Sequence, residues 1–162
     1  MIVGFEPVLS KEPHILILGS MPSVTSLEKQ EYYGFKHNRF WKVLSHVYQK
    51  PIETYQQKLD IIFQNHLALW DVIHACEREG SLDSAIHHEE VNSIDELLQA
   101  YPSIHTIICN GKKSYQVYQK YFKQLNIKVY VCPSTSNANA MWKLDKLIEA
   151  WNTILEGENN GN

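Results

Sequence analysis

Four short apolar runs, separated by stretches of helical period, constrain what this chain can fold into more than any other feature. They are His14–Leu18 (HILIL), Leu67–Ile73 (LALWDVI), His105–Cys109 (HTIIC) and Ile127–Cys132 (IKVYVC). Continuous apolar runs of this length suit strands buried on both faces. From Asn38 the period becomes helical, with Phe40, Trp41, Leu44, Val47 and Tyr48 on one face. Residues Thr54–Asn65 read as a second helix with Leu59, Ile62 and Phe63 inward. Ser93 followed by Glu96 forms a capping box for a helix carrying Ile94, Leu97 and Leu98, which Pro102 ends. Gly111–Leu125 reads as a lysine-rich helix. Leu144, Leu147, Ile148, Trp151, Ile154 and Leu155 form the stripe of a last one. The stretch from Pro22 to Gly34 reads as a turn-rich loop, and Glu79-Gly80-Ser81 breaks the second run.

Strands alternating with helices predict an α/β fold: three layers, α/β/α, around a four-stranded parallel sheet. The 162 residues suit one domain. The expected boundaries are 1–156 for the domain and 157–162 (GENNGN) for a flexible tail. In such sheets a ligand sits at the carboxyl ends of the strands, so the loops to inspect begin at Gly19, Asp71, Asn110 and Pro133.

Hydrophobic residues at 44% and charged residues at 20% describe an ordinary soluble chain. No basic segment leads into an apolar run at the N-terminus, and no run is long enough to span a bilayer, so a cytoplasmic protein with no membrane partner is expected. Cys76, Cys109 and Cys132 form no CxxC pair and read as buried thiols. A net charge of −3 counts against nucleic acid as a partner, because phosphate binding is electrostatic. Even so, Lys36, His37 and Arg39 cluster, as do Lys112 and Lys113, apart from Glu89, Glu90, Asp95 and Glu96. The absence of GxGxxG, Walker and GxSxG patterns argues against dinucleotide, nucleoside-triphosphate and serine-hydrolase chemistry. His87-His88-Glu89-Glu90 has metal-ligand side chains, but neighbours on a regular element point apart, and a solvated helix start is the reading. Asn110-Gly111-Lys112-Lys113 is either a phosphate site at a helix start or a turn with exposed lysines.

Four motifs fall on the strand-end loops: LILGSMPS (Leu16–Ser23), YYGFKHNRFWKVL (Tyr32–Leu44), LWDV (Leu69–Val72) followed by REGSLDSAI (Arg78–Ile86), and PSTSNANA (Pro133–Ala140). On these residues, and over nearly the whole chain, the sequence resembles the uracil-DNA glycosylase superfamily, most of all its hypoxanthine-DNA glycosylase branch. The resemblance implies a uracil-DNA glycosylase-like fold and a monofunctional enzyme of base-excision repair. Such an enzyme flips a deaminated base out of DNA and hydrolyses its N-glycosidic bond, here favouring hypoxanthine (deoxyinosine). It implies DNA containing a deaminated base as partner, no cofactor and no metal, and a monomer is expected. Uracil or xanthine as substrate is the alternative within the superfamily. A non-catalytic DNA-binding module that kept the fold is the alternative outside enzymes.

The resemblance also assigns residues. Asn38 is the expected catalytic residue, orienting water or hydrogen-bonding the departing purine; as an asparagine before a helix it also reads as an N-cap. Met21 stands where the mismatch-specific branch has a catalytic asparagine. With Gly19, Ser20 and Pro22 it forms the first turn against the substrate. Tyr33 corresponds to the aromatic that stacks on the flipped base, with core packing as its other reading and Tyr32 as the substitute. Asp71 stands where relatives read the base, and would accept from N1–H of hypoxanthine; otherwise it is a structural carboxylate paired with Arg78. Ser23, Ser134, Thr135, Ser136 and Asn137 are expected on DNA, the last loop donating to phosphates at a helix start or acting as ordinary caps. Cys132 replaces a histidine usual before the second motif's proline, and Asn137 replaces a proline, which changes the cation and the wedge that loop supplies.

Overall fold

The structure, a computed structural model, describes residues 1–160, with side chains through Glu158. In chain order the strands and helices are β1 (Ile2–Val3), β2 (Val8–Leu9), β3 (Ile15–Gly19), α1 (Val24–Lys29), α2 (Phe40–Tyr48), α3 (Tyr55–Gln64) and β4 (Leu67–Asp71). Then follow β5 (Ile73–Glu77), β6 (His87–Val91), α4 (Ile94–Ala100), β7 (Thr106–Asn110), α5 (Lys112–Phe122), β8 (Lys128–Cys132) and α6 (Leu144–Asn160).

The main sheet has the order β2-β4-β3-β7-β8. Its four parallel members correspond to the four apolar runs, with β8 at the edge, Ile15 pairing opposite Leu67 and Thr106, and Thr106 opposite Lys128. Alternation along β3 splits the core. Ile15 and Ile17 face Phe40, Trp41, Leu44, Ile62, Leu147 and Trp151 of α2, α3 and α6. Leu16 and Leu18 face Ile94, Leu97, Val117, Tyr118 and Phe122 of α4 and α5. Both layers are closed, so every residue of β3 is buried. Each such fully buried aliphatic side chain contributes roughly 1.5–3 kcal/mol.

Several elements depart from expectation. The second run does not stay in one sheet. It leaves β4 after Asp71, Val72 N–H and Ile73 N–H donate to the carbonyls of Gly19 and Ser20, and the chain opens β5 of a second, antiparallel sheet β1-β5-β6. The His87–Glu90 segment lies in strand β6 rather than a helix, with His88 Nδ1 2.7 Å from Glu77 Oε2 across the pair. The loop after Pro22 contains α1, because Ser23 caps it by accepting from Ser26 N–H at 3.1 Å. Ser93 makes no side-chain cap; the capping box sits instead at Thr54 and Gln57. On α3, Ile61 and Ile62 turn inward while Phe63 is exposed. Residues 157–160 of the expected tail are helix instead. α6 continues through Gly157 to Asn160, held by buried Glu158, which accepts from Thr106 Oγ1 at 2.8 Å and Lys128 Nζ at 3.0 Å. Residues 161–162 of the expected tail lie outside the described residues.

Candidate active site

The chain starts the parallel sheet at β3, adds β4 on one side and later β7 on the other. Strand connections therefore diverge at the carboxyl end of β3, the place where an open α/β sheet leaves a crevice. A cavity of about 900 Å³ opens there. Its wall holds every residue the sequence assigned to a site: Gly19, Ser20, Met21, Pro22, Ser23, Tyr33, Asn38, Asp71, Ser134, Thr135, Ser136 and Asn137. Four separate segments thus form one cup.

Tyr33 sits at φ 52°, a left-handed conformation that a bulky side chain rarely adopts and that costs of order 1–3 kcal/mol. Its ring lies nearly parallel to Phe40, centroids 4.1 Å apart, and its hydroxyl accepts from Asn110 Nδ2 at 3.1 Å. One face is therefore backed by core while the ring borders the cavity. Tyr32 is a core residue: its hydroxyl donates to the carbonyl of Glu6 at 2.7 Å and its own carbonyl accepts from Trp41 Nε1. Burial drives both phenols well above the ordinary tyrosine pKa, so both stay neutral.

Gly19, the last residue of β3, is required by space. A Cβ there would run into Asp71 Oδ1 and come within 2.8 Å of the Tyr33 hydroxyl. Asp71 ends β4, is 4% exposed, and its Oδ2 has no hydrogen-bond partner among the described residues. Burial, helped by nearby Asp83 and opposed by Arg78, pushes its pKa up to about 7. The expected ion pair with Arg78 does not form. That guanidinium instead donates to the carbonyl of Pro22 at 2.6 Å.

Asn38 is not the N-cap of α2, which is Arg39; it stands one residue earlier, where it meets the helix start and faces the cavity. Its Oδ1 accepts from Phe40 N–H at 2.9 Å and from the Thr135 hydroxyl at 2.9 Å. Thr135, expected on phosphates, is 1% exposed and committed inside the protein: its N–H donates to Asn110 Oδ1 and its oxygen accepts from Asn110 Nδ2, each at 3.0 Å. Ser134 and Ser136 accept from the amides two residues ahead, leaving their hydroxyl hydrogens for a ligand, and Asn137 is exposed. No helix starts here, since α6 begins only at Leu144. Ser23 lines the cavity, but its oxygen accepts from Ser26 N–H and its hydrogen goes to Ser26 Oγ, so it serves α1 rather than a phosphate. Arg39 is consumed as well. Its guanidinium donates to the carbonyls of Thr135, Ser136, Asn139 and Trp142, riveting the last loop to α2.

Three parts of the wall have roles that were not read from sequence. Asn110 ends β7 and ties Tyr33 to Thr135. Residues Ser81–Ser84 fold over the first turn, Ser20 Oγ donating to Asp83 Oδ1 at 2.7 Å and Ser81 Oγ accepting from Val24 N–H at 3.0 Å. Trp142 borders the cavity from the last loop, and neighbouring Met141 is 93% exposed. Lys112 and Lys113, at the start of α5, bring positive charge to the rim of a chain that is acidic overall.

The family model of the uracil DNA glycosylase superfamily matches residues 6–155. A hypoxanthine DNA glycosylase of Methanosarcina acetivorans is 37% identical over 154 residues, covering 94% of this chain and 96% of the relative. One from Methanosarcina barkeri is 36% identical over 138 residues, 84% of this chain and 87% of the relative. A solution NMR structure of a Methanosarcina acetivorans protein, described as a candidate uracil DNA glycosylase, superposes with a TM-score of 0.84 at 35% identity and covers 98% of each chain.

Proposed function

The chain belongs to the uracil DNA glycosylase superfamily, and on that footing we propose that it is a monofunctional DNA glycosylase that releases deaminated bases, hypoxanthine first among them. The observation that carries the reading is the meeting of Asn38, Tyr33 and Asp71 around one cavity at the strand ends. An everted base needs a flat apolar surface, a group that reads its edge and a polar group near the sugar linkage. Tyr33, held rigid on Phe40, supplies the surface. Asp71, which lines the cavity, supplies the reader: its carboxylate accepts the N1–H of hypoxanthine, whereas adenine presents an acceptor at that position and is refused. The relatives that match over most of the chain bear the name hypoxanthine DNA glycosylase, which supports the same substrate.

In the reaction the C1′–N9 bond breaks with its electron pair going to the base. Water adds to the oxocarbenium-like sugar and loses a proton to solvent, and the base takes one up. The products are free hypoxanthine and an abasic site. Asn38 assists at the linkage. Lys112, Lys113 and the hydroxyls of Ser134 and Ser136 meet the phosphates that flank the flipped nucleotide. The protein is taken to act as a monomer in the cytoplasm, a setting that suits three buried free cysteines.

Incision of duplexes holding deoxyinosine, deoxyuridine or deoxyxanthosine tests the reading. Fastest release from deoxyinosine is expected. Fastest release from another base moves the substrate within the superfamily, and binding of such duplexes with no release makes the chain a DNA-binding module.

A further inference from the structure

The amide oxygen of Asn38 has no capacity left. A carbonyl oxygen offers two lone pairs, and both are filled, by Phe40 N–H and by the Thr135 hydroxyl, each at 2.9 Å. The orientation of these bonds follows from the chain. Asn110 Oδ1 accepts the backbone N–H of Thr135, which makes the other arm of Asn110 the donor. That Nδ2 donates to Thr135 Oγ1, so the hydroxyl's own hydrogen goes to Asn38. Asn38 Nδ2, in contrast, has no hydrogen-bond partner among the described residues, and the residue lines the cavity.

We propose that Thr135 is a positioning residue that turns the carboxamide oxygen of Asn38 into the protein and leaves its amino group as the end that meets the substrate. The inference rests on the glycosylase reading and sharpens it. Asn38 then does not hold the attacking water through its oxygen. It donates a hydrogen bond to an acceptor atom of the departing base, where negative charge collects as the C1′–N9 electron pair arrives. The amide transfers no proton. It stabilises the leaving group, a role in which one well-placed donor is typically worth about 10²–10³ in rate.

The test measures single-turnover base release and duplex affinity with deoxyinosine DNA for four proteins. Asn38→Asp keeps an oxygen for Phe40 N–H and Thr135 but replaces the donor arm with a second acceptor. Its rate is expected to fall about a hundredfold or more with affinity nearly unchanged. Its rate relative to wild type should climb as the pH becomes acidic, because a protonated carboxyl regains a donor. Thr135→Val is expected to lower the rate by about ten- to a hundredfold with little change in affinity, and Thr135→Ser to restore it to within about threefold, roughly the weight of a well-kept hydrogen bond. An Asn38→Asp protein that keeps pace with wild type overturns the proposal. So does a Thr135→Val protein that loses rate and affinity together, or one that Thr135→Ser fails to rescue. If wild type releases no base from any duplex, the glycosylase reading itself falls and takes this inference with it, an outcome distinct from an active wild type with an indifferent Asn38→Asp variant.

Discussion

The Tyr33 ring lies 4.1 Å from that of Phe40, centroid to centroid and 23° from parallel, while its hydroxyl is held by Asn110. A ring fixed at its back and its tip loses little freedom when a base settles on it, which suits a stacking platform. Tyr33→Ala should weaken binding of deoxyinosine duplexes by about ten- to a hundredfold, the weight of ~1–3 kcal/mol of base stacking. Tyr33→Phe keeps the platform and should lose only a few-fold. Fluorescence anisotropy on a labelled duplex reads both; equal losses for the two variants would mean the ring does not touch the base.

Asp71 gives opposite pH trends to activity and stability. It must be ionised to accept N1–H, so base release should rise as pH climbs through about 7. Stability runs the other way. With the folded pKa raised above the ordinary carboxylate value by burial, the contribution is fully present below that ordinary value. It is lost as pH rises through about 7, because the folded protein then carries a buried charge. Asp71→Asn should flatten both profiles and melt at a higher temperature than wild type in alkaline buffer. A pH-rate curve for Asp71→Asn that still bends near neutrality would assign the titration elsewhere.

Gly19→Ala should cripple the site without touching its chemistry. The new methyl meets Asp71 Oδ1 and the Tyr33 hydroxyl at once, an overpacking cost of typically 1–3 kcal/mol. Removing the hydroxyl with Tyr33→Phe in the same chain relieves one of the two collisions, so the double variant should be more stable than the sum of the singles allows. Thermal melts of the four proteins measure that coupling; strict additivity would show that the site opens freely around the methyl.

Arg39 and the Lys112–Lys113 pair should separate by salt dependence. Because the Arg39 guanidinium is spent on four loop carbonyls, Arg39→Lys should loosen residues 136–142, seen as faster amide hydrogen exchange, and leave the salt slope of DNA affinity unchanged. Lys112→Gln and Lys113→Gln should each lower that slope by roughly 0.9, one released counterion per lost phosphate contact. A reduced slope for Arg39→Lys would mark it as a phosphate ligand instead.

What the sequence made legible follows from the length of each signal. The parallel strands β3, β4 and β7 stand out because they lie inside the sheet and are buried almost throughout, and β8, at the edge and partly exposed, because its run is still largely apolar. β1 and β2 are two residues each and leave no pattern. The HHEEV run of β6 reads as solvated because an edge strand of a small sheet is solvated. The break at Val72 is invisible in LALWDVI, since apolarity continues while the hydrogen-bond partners change. The site residues on motifs were within reach because they lie beside strand ends in sequence. Asn110 was placed at a strand end, yet its grasp on both Tyr33 and Thr135 joins positions 77 and 25 residues away and exists only once the sheet has formed. Arg39 was read by its charge, as one of a basic trio, whereas its fork geometry against backbone carbonyls is what the fold uses.

Asp71 is the final residue of β4 in the main sheet, and two residues later the chain enters β5 of the other sheet. Its main chain is clamped from both sides, its carbonyl accepting from Asn92 Nδ2 and the next amide donating to Gly19. The carboxylate is therefore stationed by the seam between two sheets rather than by side-chain partners of its own. A side chain placed in this way needs no second residue to aim it, because the main chain it stands on is already fixed.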